Sequence, residues 1–172
     1  MSPNNSKYKS WSGLKKQMEA LLCDALKGQI AYTYTRYNKD RGSFGRAAIT
    51  LGKSEVIAFS WDVETDIQWA DEYTACLENP NADQATVHAA LMKDKWMPQG
   101  TLCHHDFLHA VADYLNTDVQ TALRSDNYLL RVFAFMDRRV GKRTLVRLED
   151  STESLPAWVK QFYRIRCEAE SI

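Results

Sequence analysis

Apolar residues recur along the chain with two different periods, and the change of period marks out its organisation. Trp11, Leu14, Met18, Leu21, Leu22 and Ala25 fall three or four apart, the spacing of one helical face. Ser10 or Ser12 can cap the start, and Gly28 suits the left-handed residue that ends many helices, so a helix is predicted over about 12–27. After it the period becomes two: Ile30, Tyr32 and Tyr34 alternate with Ala31, Thr33 and Thr35, which is strand chemistry. A polar loop, Asn38 to Ser43, follows. Arg46 to Leu51 and Glu55 to Trp61 then read as two more strands joined tightly at Gly52-Lys53.

From Asp62 the helical period returns and holds almost to the end. Val63, Ile67, Ala70, Thr74 and Leu77 mark an inward stripe on one helix, stopped by Asn79-Pro80. Val87, Ala90 and Leu91 mark the next, expected to end before Pro98. Another runs over about 101–115 with Leu108, Val111 and Leu115 inward, and a short one begins at Thr117. A strongly apolar helix over about 125–137 carries Leu129, Leu130, Val132, Phe133 and Met136. The last starts near Ser154 and Pro156 with Val159 and Phe162 in the core. The expectation is an α+β fold: a three-stranded antiparallel meander with an N-terminal helix and a C-terminal set of five or six helices. Residues 10–172 read as one domain and the polar residues 1–9 as a disordered tail.

Size is consistent with this picture, because 172 residues with 45% hydrophobic content can bury a full core without a disulfide or metal staple. The four cysteines, Cys23, Cys76, Cys103 and Cys167, lie far apart with no CxxC pair, so neither a zinc knuckle nor a dithiol motif is expected. Cys23 and Cys76 sit among apolar helix positions and read as small hydrophobes. No apolar run resembles a signal peptide or reaches the length of a membrane span, which makes a reducing cytoplasm the expected compartment.

Charge changes the picture more. The net charge is zero, yet no Lys or Arg falls between Lys53 and Lys93, an interval holding Glu55, Asp62, Glu64, Asp66, Asp71, Glu72, Glu78 and Asp83. Glu64, Asp71 and Glu78 are seven apart and share one helix face, with Glu72 further round and Trp69 and Tyr73 toward the opposite edge. A solvated helix surface and an acidic docking surface fit this row equally well. On the second reading the partner-binding residues are Glu64, Trp69, Asp71, Glu72, Tyr73 and Glu78. Arg124 to Arg147 holds seven basic residues against Asp126 and Asp137. Nucleic-acid binding through Arg138, Arg139, Lys142 and Arg143 is weakened by the zero net charge and by the lack of aromatics among these residues. An internal ion-pair network, with the acidic helix as one candidate partner, ranks ahead of it.

Catalytic chemistry has one candidate, Cys103-His104-His105-Asp106-Phe107-Leu108-His109. On a helix, His105 and His109 stand one turn apart and could share a metal, with Asp106 as base, in the manner of a metal-dependent hydrolase. Asp106 is one methylene shorter than the glutamate such helices use, and the third ligand is missing. His104 shares the face of Leu108 and Val111 and reads as a packed side chain. No nucleophile elbow, phosphate-binding loop or dinucleotide fingerprint occurs, and no cofactor or metal is expected.

Trp11-Ser12-Gly13-Leu14-Lys15-Lys16, Leu21 to Gly28 and Asp137 to Leu145 resemble a family of small bacterial cytosolic proteins. The resemblance spans most of the chain and implies relatives beside genes for polymorphic antibacterial toxins. It therefore implies an immunity protein, a non-enzymatic binder that neutralises a cognate toxin domain, and it assigns no residue a role.

Overall fold

The computed structural model describes residues 10–37, 44–77 and 83–172. The expected tail over 1–9, the loop Asn38 to Ser43 and the Asn79-Pro80 stop lie outside these residues. Helix α1 (Trp11–Leu21) buries Leu14 and Met18 and ends six residues earlier than its periodicity suggests. The cause is tertiary. Leu22 bridges to Asp137, the Cys23 N–H donates to Met136 O at 2.9 Å, and the Arg138 N–H donates to Leu21 O at 2.8 Å. The backbone here finds its partners in a distant strand-like segment, so continuing the helix gains nothing. Leu22, Cys23 and Leu26 remain buried, and Gly28 adopts φ +75° in the turn that follows. Neither candidate serine caps the helix by its side chain; Ser10 and Ser12 instead bond to each other.

Strands β1 (Ile30–Arg36), β2 (Gly45–Leu51) and β3 (Ser54–Trp61) form the antiparallel meander in the order β1-β2-β3. Gly52, at φ +59°, turns the β2–β3 hairpin. The register sets Tyr32 beside Ile49, Tyr34 beside Ala47 beside Phe59, and Gly45 beside Trp61. Period-two geometry puts these residues on one face. That face receives α1 and helix α5 (His104–Leu115). Phe107 of α5 meets Tyr32, Phe59 and Phe133 within 6.4 Å, tying sheet to helices through ring contacts.

Beyond the sheet lie α2 (Val63–Leu77), α3 (Gln84–Leu91), a π-helical turn (Met92–Trp96), α4 (Met97–Gln99), α5, α6 (Val119–Leu123), α7 (Tyr128–Met136), α8 (Lys142–Thr152) and α9 (Ala157–Glu170). Three findings depart from expectation. The α2 stripe is turned outward: Ile67 is 58% exposed, and Ala70 and Thr74 are exposed, while Thr65, Trp69, Glu72 and Tyr73 face the protein. Trp69 and Tyr73 offer far more contact area than the small residues of the stripe, and tryptophans on β3 and the π turn are there to meet them. The helix marked by Val87, Ala90 and Leu91 runs on through Pro98 to Gln99, because the π turn shifts the Met97 N–H to Met92 O and relieves the ladder just ahead of the proline. Helix α8 was not foreseen; its buried residues are only Leu145 and Thr152, so it offers almost no apolar period to read.

Helix α7 is the central element, with seven of its nine residues buried, and it packs on α9, α6 and α5. Val159 and Phe162 of α9 are fully buried, as the sequence implies. Arg166 is buried beside them and donates to the carbonyls of Phe135, Asp137 and Val140 at 2.8–3.1 Å. These carbonyls close the end of α7, and Glu170 balances the guanidinium at 3.0 Å.

Candidate functional site

The glycine at 45 fixes how α5 meets the sheet. A Cβ there would lie 2.5 Å from Thr35 O and 2.7 Å from His104 Nε2, so only glycine lets the first residue of α5 rest on the strands. His104 is 0% exposed, and its ring lies 4.0 Å from that of His105. His105 is thereby set edge-on to Trp61, the last residue of β3, at 6.0 Å. From Trp61 the chain turns directly into α2, where Asp66, Trp69 and Tyr73 fall on one face at three- and four-residue spacing. Trp69 lies 5.9 Å from Trp61 and 5.5 Å from Trp96 of the π turn; Trp96 in turn meets His88 at 5.5 Å. Three of the five tryptophans therefore stand in a row. They wall an open cleft of about 470 Å³, completed by Ala70, Tyr73, Met92, Cys103, His105 and Asp106.

Among the described residues two carboxylates line this cleft, Asp66 and Asp106, and no Lys or Arg does. Asp66 accepts the Trp61 indole N–H at 3.0 Å, and Asp106 accepts the Cys103 backbone N–H at 2.9 Å in a capping box. Behind the wall, Glu72 accepts the Trp96 indole N–H at 2.6 Å and pairs with Lys95 at 2.9 Å. The Trp96 bond, followed by Lys95, holds the Glu72 carboxyl below its ordinary range. The indole N–H groups of Trp61 and Trp96 are thus directed to carboxylates, whereas the Trp69 N–H is buried with no hydrogen-bond partner. Both ring nitrogens of His104 are likewise buried without partners, and burial, then His105, lowers its pKa to about 4. Burial, then the Asp106 charge, pushes the Cys103 thiol up to about 12. A thiol so placed stays protonated and is a poor nucleophile near neutral pH.

A family model matches residues 10–167, from the start of α1 into α9. The chain belongs to the SF0329 protein family. No curated protein and no solved structure matches it. In this SF0329 chain the anticipated partner-binding residues divide. Trp69 and Tyr73 line the cleft, Glu64 and Asp71 are exposed beside it, and Glu72 is committed to Trp96 and Lys95. Glu78 lies outside the described residues. Sequence reasoning missed Trp61, Asp66, His88, Met92 and Trp96. The 66-69-73 spacing was available as a signal for Asp66, but Trp96 arrives only through the packing of the π turn on α2.

The other candidates are dispersed. His105 faces the cleft while His109 is exposed, and Asp106 serves as the helix cap. Among the described residues no three His, Cys, Asp or Glu side chains converge to hold a metal ion. In the basic segment, Arg139 grips the buried Asp137 carboxylate through Nε and Nη2 at 2.7–3.1 Å, and Lys142 donates to Glu170 O at 2.7 Å. Arg138 and Arg143 are exposed. The internal pairing is therefore with Asp137 rather than with the acidic helix. Cys76, expected in an apolar setting, is exposed. Among the described residues no helix is long and apolar enough to cross a membrane.

Proposed function

We propose that the SF0329 chain is a non-enzymatic binding protein that docks a protein partner on the α2 face, and that its role is that of an immunity protein occluding a toxin domain in a bacterial cytoplasm. The observation that carries this reading is the tryptophan-walled cleft of about 470 Å³, flanked by the exposed carboxylates of Glu64 and Asp71. Aromatic side chains that are partly exposed and rigidly held supply most of an interface's affinity, and flanking charge of one sign orients the encounter. Trp61 and Trp69 are partly exposed while Trp96 is buried; the Trp61 and Trp96 indoles are pinned by carboxylates, and Trp69 packs against both. The state of Cys103 and the capping duty of Asp106 favour recognition over nucleophilic or acid–base chemistry in the cleft.

The toxin role stands on the family resemblance, and co-expression tests it. A toxin-like reading frame adjacent to the gene is expressed with and without this chain. The expected result is restored growth and a stoichiometric complex, both lost in Trp69→Ala/Tyr73→Ala with the fold retained. Absence of both protection and complex with the wild-type chain overturns the role.

A further inference from the structure

The cleft has a chemical preference of its own. Its walls are the rings of Trp61, Trp69, Trp96 and Tyr73, and among the described residues its Asp, Glu, Lys and Arg lining is Asp66 and Asp106. An indole ring carries negative potential on its faces and positive potential at its edge. In Trp61 and Trp96 the positive N–H edge is already taken by Asp66 and Glu72. What these rings can still offer an occupant is chiefly their faces, which attract organic cations. An ionised carboxylate accepts about four hydrogen bonds, so the Trp61 bond to Asp66 and the Cys103 bond to Asp106 do not by themselves exhaust these groups. Asp62 just ahead of α2 and Glu64 and Asp71 within it are exposed, and Lys95 of the π turn is tied to Glu72.

We infer that the cleft accepts a basic side chain of the partner, its alkyl stem against the tryptophan walls and its ammonium or guanidinium head between the indole faces and the carboxylates of Asp66 and Asp106. A volume of about 470 Å³ is that of a small-molecule site and accommodates a lysine or arginine side chain with room for the adjoining main chain. An anionic occupant such as a nucleotide would meet two carboxylates and, among the described residues, no Lys or Arg in the lining. This inference rests on the docking reading only for the identity of the carrier, because the chemistry can be measured with small molecules.

The test is titration of the full chain, at constant ionic strength, with N-acetyl-lysine methylamide, N-acetyl-arginine methylamide and the uncharged N-acetyl-norleucine methylamide. Indole N–H resonances are followed by NMR. Saturable shifts are expected at Trp61, Trp69 and Trp96 and not at Trp11 or Trp158, with at least tenfold preference for the charged compounds over norleucine. Asp66→Asn should weaken the charged compounds at least threefold. Trp69→Ala should abolish binding, while Trp69→Phe, which keeps a ring face and removes the buried N–H, should bind within threefold of wild type. If Trp69→Ala does not fold, the norleucine comparison and Asp66→Asn still decide. Equal binding of norleucine, no saturable shift with either cation, or tighter binding of adenosine monophosphate at the same resonances overturns the inference. Cation binding without any protein partner would leave the cleft's preference for organic cations standing and sink the docking reading, and with it the assignment of that cation to a partner. Partner binding that depends on Tyr73 with no response to the cations would do the reverse.

Discussion

Two regions of this protein are built from the same materials, aromatic rings and charged groups in close contact, and they use them oppositely. Around α7 and α9, Asp137 and Arg166 are buried and paired, with only Arg166 Nε lacking an acceptor among their polar atoms. Asp137 accepts from Tyr114 Oη at 2.6 Å and from Arg139, and Arg166 spans three carbonyls and Glu170. Around α2 and the π turn the carboxylates are largely exposed, the rings form an open wall, and Trp69 keeps a buried N–H without an acceptor. Removing charges from water is costly unless nearly every partner is supplied, so the first arrangement locks one geometry. The second leaves surface and polar capacity unspent, which is what a recognition site requires. The difference teaches where to look for function: in the aromatic cluster whose contacts are incomplete.

The comparison is broken most severely at Arg166. Arg166→Met keeps the stem and removes the donors, leaving three carbonyls and Glu170 uncompensated in the interior. Chemical denaturation should show a loss of about 3–5 kcal/mol, the usual cost of breaking a buried pair. A loss under about 1 kcal/mol would mean the network is dispensable and the two regions are more alike than argued.

Acid should act next, and from the cleft side. His104 titrates near 4 in the fold against 6.5 when unfolded, because burial disfavours its charged form. As pH falls below 6.5 the unfolded chain takes up a proton that the folded chain refuses, so stability is complete above 6.5 and declines toward pH 4. The ceiling of this effect is about 3 kcal/mol for that interval. Glu72, whose folded pKa is depressed, contributes stability that is present above its unfolded value near 4.5 and lost at lower pH, outside most of this window. Denaturation at pH 7 and pH 5 should reveal a slope that His104→Phe removes; an unchanged slope would assign the effect elsewhere.

A smaller gain is expected from Trp69→Phe. It deletes the one indole donor of the wall that lacks an acceptor, and an unsatisfied buried donor costs about 1–3 kcal/mol. Some contact area is lost as well, so a net rise of about 1 kcal/mol or less in thermal or denaturant stability is the expected outcome. A clear fall would show that packing of the larger ring outweighs the orphaned group.

The least effect on the fold is expected from Glu64→Lys/Asp71→Lys. Both positions are exposed, and surface changes of this kind alter stability by about 0.5 kcal/mol or less. If the acidic face steers a basic partner, association should slow several-fold at low salt and lose salt sensitivity. Stopped-flow rates across a salt series check this; an unchanged rate would reduce the face to solvated surface.

The sequence by itself determined the order and type of most elements. Period-two alternation in Ile30 to Thr35, the Gly52 turn and the apolar run of α7 are local signals, and local backbone preferences are enough to read them. It also exposed the charge segregation and, at Trp69 and Tyr73, part of the cleft wall. Where it failed, the deciding contact was distant in the chain. Helix α1 stops at Leu21 because Met136 and Arg138 supply backbone partners, and no residue near 21 announces this. The α2 stripe of Ile67, Ala70 and Thr74 has the right period but lost to Trp69 and Tyr73, whose area is rewarded only when Trp61 and Trp96 stand opposite. Helical periodicity reports which residues share a face, whereas the face that turns inward is chosen by what another part of the chain presents to it. The cleft is therefore a tertiary object, assembled where the end of a strand, a helix face and a π turn bring their tryptophans together.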